Sequence, residues 1–509
     1  MQHPPETGER GWPTTNASGP RSYNNRRMLR RLARPLAILG VLAAAAPSRA
    51  QGGEASLAAA EAFRERRYEV AVGLLTELIG SGTLQGEALS DALWNRGISY
   101  SALGDKAMAF DDFQRFATMN PDSADGRTRL VEIGVELKRY DAAASAFKSL
   151  SDLAPARARD RRVDVLIMAR AYQLKRDWDE ASALLERYAR IDGGDPAINL
   201  SRARTAAAMG RHDEAIDLIR QSGGQHNLVL VRADDTFAEL WDDPAFASAA
   251  DMTALYDRDL TQAEQGPADR LFTVVLRMSA LWRLGRFDEA IQLGRQTLAS
   301  DLSRYPDRDY REAQLHEQLA RALVMKGDFA AAEQTFRAGV ARLAMTSETV
   351  VTLLMSGGQF LAATADKYQD ALEFADRADT FARLIYGSGI GDSVRALAYW
   401  GLKQRRNLDR ILTQVEENLS TSQSIAVDLY LLVGRPDDAA RLVASQLADP
   451  ARVDTVLVSL QRYVKNRPAH GAVEKVIEEG WRGLRAHPLV LEALAGVGRI
   501  TDIPAANRF

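Results

Sequence analysis

The chain has 509 residues, 46% of them hydrophobic, 26% charged and 7% aromatic, with a formal net charge of −3. That balance is too apolar for a disordered chain and too charged for a polytopic membrane protein. The absence of cysteine excludes disulfides, thiolate metal sites, Cys nucleophiles and a lipid-bearing Cys, and six histidines spaced at least 14 residues apart exclude a local His-x-x-x-His metal site.

The first 50 residues read as a leader and a cleavable signal peptide. Arg26, Arg27, Arg30, Arg31 and Arg34 form a basic region, Leu36 to Ala46 an apolar run of 11, and Pro47-Ser48-Arg49-Ala50 a cleavage context with the cut between Ala50 and Gln51. The run is too short for a membrane-spanning helix, which needs about 20 residues. Translation can start at Met1 or at Met28. The leader holds eight Arg and two Glu, so its removal takes the net charge from −3 to −9. Such an acidic chain is a poor ligand for nucleic acid. The expected location is the periplasm or the exterior of a bacterial cell, with no integral membrane span in the mature chain.

From residue 51 onward a short pattern recurs: a basic or Asp residue, often an aromatic, an acidic residue, then Ala. It stands as Arg67-Tyr68-Glu69-Val70-Ala71, Arg139-Tyr140-Asp141-Ala142-Ala143, Asp177-Trp178-Asp179-Glu180-Ala181, Arg211-His212-Asp213-Glu214-Ala215 and Arg286-Phe287-Asp288-Glu289-Ala290, and continues to Ala332, Ala371 and Ala439. Ala109 to Ala143 and Ala181 to Ala215 are each 34 residues apart. The spacing predicts pairs of amphipathic helices of about 12 to 14 residues, joined by a tight turn whose Gly (Gly104, Gly285) supplies a positive φ. The alanines let the two helices cross closely, and the acids sit in the first turn of the second helix, where its dipole favours negative charge. Such a hairpin cannot bury its apolar face alone, so neighbours must stack.

Residues 90 to 123 resemble the tetratricopeptide repeat (TPR) family, with Gly97, Tyr100, Gly104, Ala109, Phe113 and Pro121 at six of its eight signature positions. The resemblance implies an all-α fold, a superhelical solenoid of about eight to ten helix hairpins. The rhythm breaks at residues 223–268, where Asp234-Asp235 and Asp242-Asp243-Pro244 read as helix starts and Leu228 to Val231 as an extended piece. The expected organisation is 51–222, an N-terminal array; 223–268, a non-TPR helical insert; 269–445, a C-terminal array; and 446–509, a helical cap over the last apolar face.

No catalytic constellation emerges. His316-Glu317 begins like a zinc-protease helix, but Ala320 replaces the second His, and His316 reads as a solvated residue. Gly387-Ser388-Gly389-Ile390-Gly391 lacks the spacing of a phosphate loop and reads as a connection between helices. The acidic pairs Asp111-Asp112, Asp234-Asp235 and Asp242-Asp243 read as helix caps. Neither metal nor cofactor is expected, and the chain reads as a non-enzyme.

In peptide-binding members of the family the first helix of each hairpin lines a concave face. That register implies a groove of Trp94, Asn95, Ile98 and Ser101, then Arg129 and Glu132, Arg170 and Gln173, Arg204, and beyond the insert Trp282, Gln318 and Arg321. The family's carboxylate clamp needs Lys and Asn at set positions, and only Asn95 fits. Arg129, Arg170, Arg204 and Arg321 form a row suited to an acidic protein or peptide partner. The reading is an exported scaffold or assembly factor; the alternatives are a polysaccharide-binding solenoid and an enzyme with its site in residues 224–268.

Overall fold

The computed structural model describes residues 48–342, 348–382, 390–463 and 467–503. The signal segment up to Pro47 and Gly387 to Gly389 lie outside them. Within them the chain is helical nearly throughout. Five hairpins come first: α1 (Ser48–Arg64) with α2 (Tyr68–Gly80), α3 (Gly86–Leu103) with α4 (Lys106–Met119), α5 (Ala124–Glu136) with α6 (Tyr140–Leu153), and, after the single turn α7 (Pro155–Arg159), α8 (Arg162–Lys175) with α9 (Trp178–Ala189) and α10 (Pro196–Ala208) with α11 (His212–Ser222). The insert follows as α12 (Gln225–Ala233), a 3-10 turn (Asp235–Leu240), α13 (Pro244–Ala249) and α14 (Met252–Glu264). Five more hairpins pair α15 (Leu271–Arg283) with α16 (Phe287–Ala299), α17 (Arg308–Lys326) with α18 (Phe329–Arg342), α19 (Glu348–Ala363) with α20 (Tyr368–Ala382), α21 (Asp392–Gly401) with α22 (Arg405–Glu417) and α23 (Leu419–Leu432) with α24 (Pro436–Leu447). The tail holds α25 (Val453–Leu460), β1 (Arg462–Tyr463), α26 (Ala472–Arg485), α27 (Pro488–Leu494) and β2 (Asp502–Ile503).

The recurring motif has a direct structural cause. Its alanines, Ala71, Ala109, Ala143, Ala181, Ala215, Ala290, Ala332, Ala371 and Ala439, are all fully buried. A Cβ added at Gly134 would stand 2.9 Å from the Cβ of Ala143, so the crossing admits only the smallest side chains. Gly104, Gly210, Gly285, Gly327 and Gly434 close first helices with positive φ, and Lys138, Arg176 and Lys403 take the same conformation without glycine's freedom. The basic residue before the second helix pairs with the acid three positions on, as in Arg211–Glu214 at 2.8 Å, Arg286–Glu289 at 2.6 Å and Arg435–Asp438 at 2.5 Å. At these three turns the motif's charges staple the helix start, in addition to the dipole effect expected from sequence.

The first helices of successive hairpins touch one another, α15 with α17, α17 with α19 and α19 with α21, whereas α16, α18 and α20 make at most marginal mutual contact. A stack that is tight along its first helices and loose along its second curves toward the first. In this C-terminal array these helices form the inner layer, and the repeat register gives the first helices of the N-terminal array the corresponding place.

The chain then returns on itself. One apolar core joins residues of α10, α11 and the insert to residues of α21–α27 and Ile503. α25 packs on α12, and β1 and β2 pair in parallel, Arg462 with Asp502. Asp234 bridges Gly498, the Arg499 N–H donates to Ala233 O at 2.7 Å, and the Arg499 guanidinium covers the Trp241 ring at 3.2 Å. A side chain at Gly498 would put its Cβ 2.4 Å from Ala233 O, so glycine is what allows this approach.

Two expectations are corrected. Leu228 to Val231 is helical within α12 and buried, because the returning tail covers it. Asp112 is no cap: it is buried in α4 and takes two hydrogen bonds from Arg96, at 2.8 and 2.7 Å. Asp234 and Asp243 do cap, accepting from Thr236 N and from Ala245 N and Phe246 N.

Candidate partner-binding surface

Trp94 and Asn95 lie on α3, half-buried. The Trp94 ring packs on Phe113 and Phe116, with centroids 5.2 and 4.9 Å away, so it is turned toward α4. No hydrogen bond engages the Asn95 side-chain amide among the described residues, which leaves it open to a ligand. Arg129 on α5 donates to Glu132 at 2.9 Å, and Glu132 also pairs with Arg161. These residues keep partial access to solvent.

The next part of the expected row is sealed. Arg170 on α8 and Arg204 on α10 are 4% and 2% exposed, and both donate to Oδ2 of Asp234, at 2.9 and 2.7 Å. Asp454, at the start of α25, completes the cluster: Arg204 Nη2 reaches Asp454 Oδ1 at 3.2 Å, and Arg170 Nε lies 3.2 Å from the same oxygen without hydrogen-bond alignment. Burial alone pushes the Asp234 carboxyl up, but Arg170, Arg204 and the Thr236 hydrogen bond outweigh it and hold the pKa at about 2. Two guanidinium groups against two carboxylates make a neutral buried cluster, which is the condition for such charges to leave water. Gln173 spends its amide on Ser201 and Thr205, at 2.9 to 3.1 Å. Arg170 and Arg204 thus serve closure of the solenoid, contrary to the expected groove, because the insert and the tail bring the carboxylates the sequence pattern could not place, and Gln173 is spent on the neighbouring helix α10.

Beyond the insert, Trp282 is buried and its indole N–H donates to Gln318 Oε1 at 2.7 Å. Arg321 holds Glu317 at 2.8 Å, and Ser356 donates to the same Glu317 oxygen at 2.8 Å. His316 is buried, not solvated: it lies against Gly339, and burial pushes its pKa down. Among the described residues no three His, Asp or Glu side chains converge as a metal site. A shallow groove between α16 and α17, of about 270 Å³, is lined by Asp288, Gln292, Arg295, Lys326 and Asp328. Sequence reasoning missed Asp454, Tyr256 and Arg283. The latter two stand where α14 packs on α15, with the Arg283 guanidinium 5.7 Å from the Tyr256 ring centroid.

Stretches 276–347, 91–123 and 166–197 each match a tetratricopeptide repeat family. The chain is a tetratricopeptide repeat protein. These matches fall on both sides of the insert, so the TPR stack runs on either side of it. Solved structures similar to this TPR chain include yeast Tom70 (12% identical, covering 88% of this chain and 100% of that chain, TM-score 0.32), MamA (20%, 34% and 90%, TM-score 0.27) and a tetratricopeptide repeat protein from Parabacteroides merdae (11%, 60% and 98%, TM-score 0.25). No curated protein matches the sequence.

Proposed function

We propose that this TPR chain is an exported scaffold or assembly factor that holds a protein or peptide partner on its inner layer of helices. The observation that carries the reading is the repeat stack itself: first helices that pack on one another along much of each array, with Asn95, Arg129 and Arg321 on first helices and reaching solvent. TPR repeats are a protein-interaction architecture, and fold alone names no partner. The export reading rests on the basic region and the apolar run of Leu36 to Ala46. No described helix is long and apolar enough to cross a membrane.

A protein partner is favoured over a polysaccharide, since sugar recognition would use open aromatic platforms. Trp94 is turned onto Phe113 and Phe116, and Trp282 is buried. An enzyme site in the insert is less supported: the strongly lowered pKa of Asp234 has its cause in Arg170 and Arg204, which occupy it fully.

The test is affinity capture by the full chain from envelope and cytosolic extracts, with intact-mass measurement of the exported form. The reading expects a discrete partner in the envelope fraction, lost in the Asn95→Ala/Arg129→Ala variant, and a mature chain beginning at Gln51. Capture that ignores both substitutions, or a chain that retains Leu36 to Ala46, would count against it.

A further inference from the structure

The inner face of the C-terminal array is already covered. α26 lies across three successive first helices, α19, α21 and α23, and also touches α24. Val473, Ile477, Trp481 and Leu484, spaced four, four and three residues apart, form its buried face, while Lys475, Glu479 and Arg482 face solvent. The Trp481 indole N–H donates to Asp428 Oδ1 on α23 at 2.6 Å. Just ahead of the helix, the His470 ring lies 4.3 Å from the Phe329 ring between centroids, and the Ala472 N–H donates to Asp366 Oδ1 at 2.9 Å. This is a helix-in-groove contact made within one chain. By contrast α3 and α5, which carry Asn95 and Arg129, make their main contacts only with neighbours in the array.

The hold on α26 is conditional. A helix of 14 residues is marginal in water by itself, and this one carries Gly480 and Gly483, glycine weakening a helix more than any residue but proline. Gly480 is required, because a Cβ there would stand 2.9 Å from Leu431 Cδ1. Gly483 is not: it is exposed, and a Cβ there would meet nothing within 4 Å. No contact of the docked helix calls for that glycine, which leaves α26 dependent on the surface beneath it. Glu474, 2% exposed, is spent on Arg467 at 3.1 Å and on the His470 N–H at 3.2 Å. A buried pair of this kind adds little net stability, since both charges regain water when the contact parts. The flanks are fixed independently: Gln461 accepts the Thr501 N–H at 2.8 Å, Arg462 pairs with Asp502 at 2.7 Å, and α27 packs on α24. Arg485, at the end of α26, donates to Leu460 O at 2.8 Å and marks the hinge. The helix can leave the groove while its flanks stay.

We propose that α26 is a displaceable strap: it fills the inner face of the C-terminal array as an internal occupant, and a partner segment reaches α19, α21 and α23 only by taking its place. The incoming segment has to better what the strap offers, an apolar row at the same spacing with an aromatic N–H donor opposite Asp428. Occupancy of this face is therefore set by a difference between two occupants, and the strap rejects segments that match it poorly. The inner face of α3 and α5 carries no such gate. The inference rests on the scaffold reading and adds regulation to it.

The test locks the strap in the full chain. The chain has no cysteine, so Leu431→Cys with Gly480→Cys gives a single disulfide between α23 and α26; a Cβ at position 480 would lie 3.1 Å from that of Leu431, close to disulfide spacing. The probe is a fluorescent synthetic peptide of residues 470–487, the strap's own sequence, read by anisotropy. The reduced double variant should bind it, and the oxidised form at least about tenfold more weakly, because a closed fraction lowers apparent affinity in proportion. Trp481→Ala, which loosens the tethered helix, should bind the peptide more tightly than the parent. A smaller ratio between reduced and oxidised forms, or no binding by the reduced form and by Trp481→Ala, would overturn the strap. Hydrogen exchange of the parent needs no substitution: residues 472–485 should exchange through an opening that leaves residues 419–447 protected. Exchange of the two segments only together would overturn the strap as well. A captured envelope partner that binds the oxidised and reduced forms equally would overturn the strap and leave the scaffold reading intact.

Discussion

Replacing Asp234 with Asn removes one charge from the cluster that ties the tail to the middle of the chain and leaves its shape in place. Oδ1 can still cap Thr236, but Arg170 and Arg204 lose the carboxylate they share at 2.9 and 2.7 Å. Removing one partner of a buried pair costs about 3–5 kcal/mol. Asp454, one third exposed, remains 3.2 Å from both guanidinium groups, and Asn keeps an acceptor, so about 2–4 kcal/mol is expected here. The loss should be read first in the tail. Urea unfolding should begin earlier, and hydrogen exchange across residues 453–503 should quicken more than exchange in α3 to α6. The pH dependence carries a sign. The folded carboxyl sits at about 2 against an ordinary 3.8, so its contribution is whole above that ordinary value and fades as pH falls from 3.8 through 2. The parent should lose stability across that window and the Asn variant should lose less. A change under about 0.5 kcal/mol, with exchange in residues 453–503 unaltered, would refute the cluster as the tie.

Ala181→Leu should overpack a fully buried crossing and cost about 1–3 kcal/mol, with the damage confined to α8–α11 in hydrogen exchange, since contacts in the array are mostly between neighbours. Arg176→Gly should stabilise by up to about 1 kcal/mol in urea titration, because the turn holds this residue at φ 63°. His316, buried and with its pKa pushed down by burial, takes up its proton in the unfolded chain first. Stability should therefore fall as pH drops below about 6.5 toward the lower folded value, and His316→Leu should flatten that limb of a plot of melting midpoint against pH.

The fold was legible where interactions are local. The nine alanines, the glycine turns and the acids of the second helices repeat at about 34 residues, and the structure returns them as buried crossings, positive φ turns and, at three turns, an ion pair across the helix start. The helix starts at Asp234 and Asp243 were legible for the same reason, since a cap is decided within three residues. What could not be read was closure. Arg204 and Asp454 stand 250 positions apart, and no periodic pattern marks them as partners. The register was enough to put Arg170 and Arg204 on the inner layer, but it carries no information on what else reaches that layer. Leu228 to Val231 looked extended for a related reason: its apolar run suits a strand and a buried helix equally, and only the packing of α25 decides.

Site-specific photo-crosslinking in the living cell tests the central claim most directly. A benzoylphenylalanine placed at Asn95, on an inner first helix with its side-chain amide unengaged, is compared with one at Arg410, exposed on the second helix α22. The account predicts a discrete adduct of one defined mass at Asn95 and none of that mass at Arg410. No adduct at Asn95, or the same adducts at both positions, would contradict an inner layer built to hold a protein partner.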